Sequence, residues 1–271
     1  MVNQTLERWV LLRGLTRECR HWGGFTELLA QARPFSDIQC IDLPGNGRLW
    51  DQVSPVRITG ITDVVRAQRA NNAPVYVLGL SMGGMVATDW ALRYPDEVAG
   101  LVLINSSLAE LNPIWQRVRW QIWLSMVRAF LTSVENREEQ IYKLTCNVRD
   151  DQESMLSQWL RYQRECPVMR RNFIHQLVAA ARYHLPVTGN RITHNALVLA
   201  AEADRLVSPQ CSSQIAAVFG TVLHQHPTAG HDLTHDDPIW VVERISEWQR
   251  DAVMLPRHPC ERQRDNQQAR G

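Results

Sequence analysis

Residues 79–83 read Gly-Leu-Ser-Met-Gly and lie between an apolar run at 74–78 and a helical segment at 84–92. The Gly-x-Ser-x-Gly pattern in this setting predicts a sharp turn between a strand and a helix, with the Ser81 hydroxyl exposed above a sheet. Side chains at the two glycine positions would collide with the strand and the helix that meet there. The alternative is a glycine-rich connection with an incidental serine, which would leave Ser81 without a base or an acid elsewhere in the chain.

A candidate acid and a candidate base occur further along the chain. A run typical of a buried strand, at 195–201, is followed by Asp204, and a second strand-like run at 221–226 is followed by His231. Functional sites of open α/β sheets are built at the carboxyl ends of the strands. The order Ser81, Asp204, His231 therefore predicts a catalytic triad.

These pieces, taken in order, resemble the α/β-hydrolase superfamily and within it the cap-bearing branch of serine esterases, lipases and thioesterases. The resemblance covers about residues 9–250. It rests on the segments at 42–47 (Asp-Leu-Pro-Gly-Asn-Gly), 79–83, 101–106, 201–204 and 230–233. It implies an α/β-hydrolase fold with a mostly parallel sheet of about six strands, flanked by helices and carrying an all-helical cap. It also implies hydrolysis of carboxylic esters through an acyl-enzyme intermediate, with no cofactor.

The chemistry explains why these residue types are needed. A free serine hydroxyl is a poor nucleophile near neutral pH, so His231 would accept the proton of Ser81 as it attacks. Asp204 would hold the imidazole in the required tautomer and stabilise the imidazolium. Glu202 remains an alternative acid, and His235 is the nearby rival base.

The oxyanion hole needs two backbone donors. One is the amide of Met82, directly after the nucleophile. In the family the loop after the first central strand usually reads His-Gly-x, and the third residue supplies the second amide. The resemblance gives that role to Leu15. This chain carries Arg13 where the histidine normally stands, so the side chain that braces the loop is different.

The predicted sheet and its helices occupy both ends of the chain. The six strands are expected at 9–12, 38–42, 75–79, 100–104, 196–201 and 221–226. Continuous apolar strands must be buried on both faces, so helices should cover both sides. The helices are expected at 23–32, 58–70, 83–93, 208–218 and 238–249.

Only helical patterns occur between the fourth and the fifth predicted strands, which predicts a cap above the nucleophile. The predicted cap helices are Asn112–Val134, Arg137–Asn147, Gln152–Glu165 and Pro167–His184. The predicted units are a core at 1–107 and 195–250, a helical cap at 108–194 and a flexible tail at 251–271.

Three residues are candidate contacts to a substrate. Trp115 belongs to the apolar face of the first cap helix, which favours a substrate with an apolar acyl or alcohol group; a membrane-surface role is the alternative for that face. Trp22 and Arg17 lie in the charged loop at 13–22. Arg17 could bind an anionic group, or it could pair with an acidic neighbour in an ordinary solvated loop.

Composition narrows the function further. A formal charge of +1 over 271 residues, without a basic stripe, argues against nucleic acid as a partner. The six cysteines lack a C-x-x-C spacing, which is typical of reduced thiols in a cytoplasmic protein. Neither a secretory signal nor an apolar run of 18 residues is visible. The strand histidines His224 and His226 lack a placed partner, so no metal site is expected. Nothing in the composition predicts the oligomeric state.

The same three residues are compatible with several other activities. A thioesterase, a carbon–carbon bond hydrolase or a lyase would use the same triad, and a lyase of this superfamily would hold an anionic substrate with arginines such as Arg17 and Arg20. A serine at position 81 argues against dehalogenases and epoxide hydrolases, which carry aspartate there. A non-catalytic binding protein is the remaining alternative, although the chain retains every triad residue.

Overall fold

Six parallel strands form one sheet in the order β2-β1-β3-β4-β5-β6. The computed structural model describes residues 6–122, 132–185 and 195–254. The strands are β1 Glu7–Leu12, β2 Ser36–Ile41, β3 Val75–Leu80, β4 Val98–Ile104, β5 Ala196–Ala201 and β6 Leu223–His226. The predicted fold class is confirmed, and every neighbouring pair of strands is parallel.

Helices cover both faces of the sheet because its central strands are apolar along their whole length. All six residues of β5 are buried. The helices of the described parts are α1 Phe25–Ala32, α2 Ile58–Arg66, α3 Met82–Arg93, α4 Ile114–Arg117, α5 Val134–Thr145, α6 Gln152–Glu165, α7 Arg170–Ala181, α8 Pro209–Phe219, α9 Leu233–Asp236 and α10 Pro238–Met254. One core cluster packs α2, α3 and α8 against the sheet, and the other packs α1 and α10 against the opposite face.

The strand order reverses between β1 and β3. From β1 the chain moves outward to β2 and then returns to pair β3 with the other side of β1, where Leu12 is in register with Gly79. Loops that leave the carboxyl ends of two such strands diverge and open a crevice, which is where ligands bind in open α/β sheets. The predicted nucleophile follows β3, and the predicted oxyanion loop follows β1.

The described residues between β4 and β5 form only helices and loops; we call this segment the helical insertion. Its helices α5 and α6 share a small apolar cluster of their own, built around Tyr142, Cys146, Trp159 and Tyr162. Helices α5, α6 and α7 correspond to three of the predicted segments; α6 has the predicted bounds, and the ends of α5 and α7 are shifted by two or three residues.

The predicted helix Asn112–Val134 is wrong as a single element. Helix α4 ends at Arg117, the backbone of the next residue, Val118, is extended, and the chain then makes a 3₁₀ turn at Trp120–Ile122. Tertiary hydrogen bonds explain the break, since the Arg119 amide donates to the Leu206 carbonyl at 2.9 Å. A new helix begins after Ser133, whose side chain accepts a hydrogen bond from the Asn136 amide. The predicted residues at 123–131 lie outside the described parts.

Helix α10 continues to Met254, the fourth residue of the segment predicted as a tail; the remainder of that segment lies outside the described residues. None of the helices in the described ranges combines the length and the hydrophobicity that crossing a membrane requires.

Candidate active site

Ser81 occupies a strained turn between β3 and α3. Its φ of 58° and ψ of −119° lie in a region that non-glycine residues rarely adopt. The turn is held by its neighbours: the Ser81 amide donates to the Ile104 carbonyl at 2.9 Å, and its carbonyl accepts from Ser106 Oγ at 2.9 Å. Strain of this kind persists only where the surrounding structure fixes it, which is common at functional sites.

The glycines of the turn are required by close packing. A Cβ atom on Gly83 would lie 2.2 Å from the Leu12 carbonyl oxygen, and one on Gly79 would lie 2.4 Å from the Gly83 oxygen. Both contacts are to backbone atoms, which cannot move aside without shifting a strand or a helix. The first turn of α3 is thereby packed against the end of β1.

We expect Gly83→Ala to destabilise the fold by about 3 kcal/mol or more, because the added methyl group overpacks a backbone contact. Gly24→Ala is the matched control, since no atom lies within 4 Å of a Cβ there and its φ of −73° suits alanine. That control should change stability by less than about 0.5 kcal/mol. Urea denaturation of the two variants measures the difference, and wild-type stability of Gly83→Ala would contradict the packing argument.

The predicted acid and base meet in a buried hydrogen bond. His231 Nδ1 lies 2.7 Å from Asp204 Oδ2, and both residues are almost fully buried. The other oxygen of Asp204 accepts from the amides of Leu206 and Val207 at 2.7 and 2.9 Å. An anchored carboxylate of this kind favours the tautomer of His231 with its proton on Nδ1. The second ring nitrogen, Nε2, is buried and makes no hydrogen bond to any described residue.

The rival residues lie elsewhere. Glu202 is exposed, and it makes no side-chain hydrogen bond or ion pair with a described residue that would compete for His231. His235 is 3.6 Å from Asp151 and 3.4 Å from the Tyr142 hydroxyl. The structure thus brings Asp204, rather than Glu202, to His231.

The two predicted oxyanion donors flank Ser81. Met82 begins α3, where the first amides of a helix have no partner within the helix. Leu15 lies in a turn that runs from Gly14 to Arg17, closed by a 3.2 Å hydrogen bond from the Arg17 amide to the Gly14 carbonyl. A Cβ atom built on Gly14 would stand 3.1 Å from the Ser81 Cβ. The turn therefore passes so close to Ser81 that a side chain at position 14 would be crowded.

Arg13 braces this loop in a different way from a histidine. Its guanidinium donates to both carboxylate oxygens of Asp232, and its Nη1 also reaches the Thr234 hydroxyl at 3.3 Å. The guanidinium also lies 4.8 Å from the centre of the Trp22 ring. Burial raises the pKa of Asp232, but the charge and hydrogen bonds of Arg13 outweigh it and lower that pKa to about 2. The buried ion pair ties the loop after β1 to the residue next to His231.

Two further residues, for which the sequence predicted no role, hold the base in place. Asn105, with a φ of 47°, donates to the His231 carbonyl at 2.8 Å and accepts from the Ala201 amide at 2.8 Å. Its position after β4, at the carboxyl edge of the sheet, was a signal that could have identified it. Asp236 accepts from the Gly230 amide at 2.6 Å.

Asp236 also binds the helical insertion, since it accepts from the amides of Asn147 and Val148 at 2.8 and 3.1 Å. Cys146 and His235 lie close enough to Asp236 that the three could in principle hold a metal ion. Both oxygens of Asp236 are already engaged by backbone amides, and burial raises the pKa of the Cys146 thiol. This donor set is therefore better suited to joining the insertion to the core than to binding a cation.

A cavity of about 380 Å³ contains both Ser81 and His231 in its wall. Much of the remaining wall is apolar and comes from both the core and the insertion. These residues include Leu15, Leu80, Ile141, Leu144, Phe173 and Leu206.

Of the three predicted substrate contacts, only Arg17 lies in the cavity wall among the described residues. Arg17 lines the cavity, but its Nη1 donates to Glu138 Oε2 at 2.7 Å. Trp22 is buried beneath Arg13 and beside Phe25, and Trp115 is 58% exposed. Neither tryptophan is among the described residues of the cavity wall. The sequence pattern could not show which part of the structure each of these three side chains contacts.

Solved structures with the same fold match almost the whole of this chain. A putative non-heme bromoperoxidase from Mycobacterium tuberculosis is 18% identical, with a TM-score of 0.72, and the match covers 92% of this chain and 94% of that one. A thermophilic esterase from Thermogutta terrifontis is 20% identical, with a TM-score of 0.66, and the match covers 90% of each chain.

Comparison with the sequences of known proteins gives matches that cover less of the chain but have a higher sequence identity. A pimeloyl-[acyl-carrier protein] methyl ester esterase from Edwardsiella ictaluri is 37% identical over 99 residues, and the match spans 36% of each of the two chains. The family model described as "Serine aminopeptidase, S33" matches residues 58–238, from α2 to the start of α10. That range contains the turn at 79–83 and both buried partners of the Asp204–His231 hydrogen bond. The chain belongs to this family of α/β hydrolases.

Proposed function

We propose that the protein is a serine hydrolase that cleaves carboxylic esters through an acyl-enzyme intermediate on Ser81. The observation that carries the proposal is the buried 2.7 Å hydrogen bond between Asp204 and His231. His231 also lines the cavity that contains Ser81, and its Nε2 makes no hydrogen bond to a described residue. An imidazole whose first nitrogen is anchored and whose second is free is arranged to accept a proton.

In this mechanism His231 Nε2 accepts the proton of Ser81 while the serine oxygen attacks the ester carbonyl. The amides of Met82 and Leu15 stabilise the negative charge that develops on the carbonyl oxygen, and each is worth about 3 kcal/mol in comparable sites. Asp204 stabilises the imidazolium. His231 then gives its proton to the leaving alcohol, and a water molecule hydrolyses the acyl-enzyme by the same route.

The cavity favours a small ester with an apolar acyl group. Its volume of about 380 Å³ lies in the range of pockets that enclose small molecules, and its apolar residues flank Ser81. The similarity to pimeloyl-[acyl-carrier protein] methyl ester esterases supports ester hydrolysis as the reaction class. We propose that the helical insertion acts as a cap, since α5 and α7 supply part of the wall. A cytoplasmic location also remains a proposal, with which the five free cysteines of the described residues agree.

The proposal is tested by treating the purified protein with a fluorophosphonate probe and locating the adduct by intact mass and peptide mapping. We expect one adduct per chain, on Ser81. A panel of p-nitrophenyl esters graded by acyl length then defines the substrate, and matched thioesters separate esterase from thioesterase activity. A folded protein that takes up no probe and turns over no ester would contradict the proposal and favour a binding protein.

A further inference from the structure

The turn that presents the Leu15 amide is strained. Thr16 is the third of its four residues and has a φ of 60°. Turns with positive φ at this position normally use glycine or asparagine, because a β-branched side chain is crowded there. Such strain persists only if the surroundings hold the backbone. The residues that hold this turn are therefore part of what places the Leu15 amide.

Gln176 of the helical insertion holds the turn from one side. It is fully buried on α7. Its Oε1 accepts from the Thr16 amide at 3.3 Å, and its Nε2 donates to Asn46 Oδ1 at 3.0 Å. Asn46 in turn donates through Nδ2 to the Arg17 carbonyl at 2.9 Å. The peptide group before Thr16 is thus fixed by Gln176 directly, and the Arg17 carbonyl, one peptide group further along, is fixed through Asn46.

Glu138 of the insertion holds the same turn from α5. Its carboxylate is 1% exposed and accepts from Arg17 Nη1 at 2.7 Å. The Arg17 guanidinium also lies 4.4 Å from the centre of the Trp159 ring and 2.9 Å from His21 Nε2. Burial, followed by the charge of Arg17, lowers the pKa of His21 well below its usual value, so the neutral ring accepts this hydrogen bond.

We propose that Gln176 and Glu138 are positioning residues for the oxyanion hole, which act by holding the Gly14–Arg17 turn in the conformation that directs the Leu15 amide to the reacting carbonyl. The inference rests on the proposed function. Through these two residues the helical insertion positions the oxyanion hole, in addition to forming part of the cavity wall. Arg17, which the sequence indicated as a substrate contact, belongs to this support.

The chain offers a matched pair of variants for the test. Asn172 lies one turn before Gln176 on the same helix and is equally buried. Its amide binds only the later part of the loop after β2, accepting from the Ser54 amide at 3.0 Å and donating to the Gln52 carbonyl at 2.9 Å. Gln176→Met and Asn172→Leu both remove buried hydrogen bonds between α7 and the core, but only the first touches the turn.

We expect Gln176→Met to lower kcat for a p-nitrophenyl ester about 10- to 100-fold with KM changed less than about 3-fold. Loss of a complete oxyanion donor costs roughly 10²–10³-fold, and a displaced donor costs part of that. Asn172→Leu should lower the thermal midpoint by a similar amount and leave kcat within about 3-fold of wild type. Equal effects of the two variants on kcat would overturn the inference.

A rescue experiment distinguishes positioning from general loosening. Thr16→Gly removes the crowding that makes the turn dependent on Gln176. In the Gln176→Met background it should restore kcat by about 5- to 10-fold, whereas in the Asn172→Leu background it should restore nothing. If the Gln176→Met variant does not fold, Glu138→Gln takes its place with the same expected rescue. Absence of rescue in the folded variant would overturn the inference.

Failure of the proposed function gives a different result. A wild-type protein that is not labelled by the fluorophosphonate would reject the nucleophile itself. Normal labelling of the wild type, together with an unchanged labelling rate in Gln176→Met, would reject only the role of the insertion, since the phosphoryl oxygen of the probe uses the same amides.

Discussion

Replacement of Ser81 by alanine is expected to abolish ester turnover, with a fall in kcat of about 10⁶-fold as for other triad serines. The thermal midpoint should stay within about 2 °C of the wild-type value. Ser81 lines the cavity, so removal of its hydroxyl opens no void in the core, and alanine tolerates the φ of 58° about as poorly as serine does. The loss is therefore one of chemistry and not of folding.

Initial rates with a p-nitrophenyl ester and a thermal unfolding curve measure both quantities. Ser106→Ala is the neighbouring control, because its hydroxyl binds the Ser81 carbonyl and has no nucleophilic role. That variant should still take up the fluorophosphonate, whereas Ser81→Ala should not. A Ser81→Ala variant that kept half of its activity would exclude the mechanism.

Asp204→Asn is the second large effect, and we expect it to lower kcat by about 10⁴-fold while the protein still folds. The amide side chain can keep an oxygen towards the Leu206 and Val207 amides, but it then presents an NH₂ group to His231. The imidazole would take the other tautomer, with its proton on Nε2, and could no longer accept the proton of the serine.

Glu202→Gln is the matched control for the acid. Glu202 is exposed, so its neutralisation should leave kcat within about 2-fold of wild type. Steady-state kinetics of the two variants, with circular dichroism to check folding, decide between the two carboxylates. A small loss of kcat in Asp204→Asn combined with a large loss in Glu202→Gln would show that Glu202 is the acid.

Local patterns explain which parts of the fold could be predicted. Strands β3, β4 and β5 are short apolar runs that end at polar residues, and this is visible within a few positions of sequence. The order of Ser81, Asp204 and His231 could be read because each follows a strand end. Parallel strands bring those ends to one edge of the sheet whatever the intervening length.

The remaining features depend on contacts between distant segments. Arg13 pairs with Asp232 across 219 positions, and Gln176 reaches Thr16 across 160. No periodicity in the sequence encodes such pairings. The same limit explains the predicted helix at 112–134: its apolar spacing is helical, but a tertiary hydrogen bond from Arg119 competes with the helix and ends it.

The Asp236 carboxylate has a consequence for protein engineering. It receives amides from Gly230, beside the candidate base, and from Asn147 and Val148 at the end of α5. A chimaera that exchanges the segment between β4 and β5 to change substrate range must therefore bring two backbone N–H groups to the same place. Without them the carboxylate loses partners worth about 1–3 kcal/mol and is left next to the loop that carries His231. Grafts that preserve the 145–148 backbone are the ones expected to yield active hybrids.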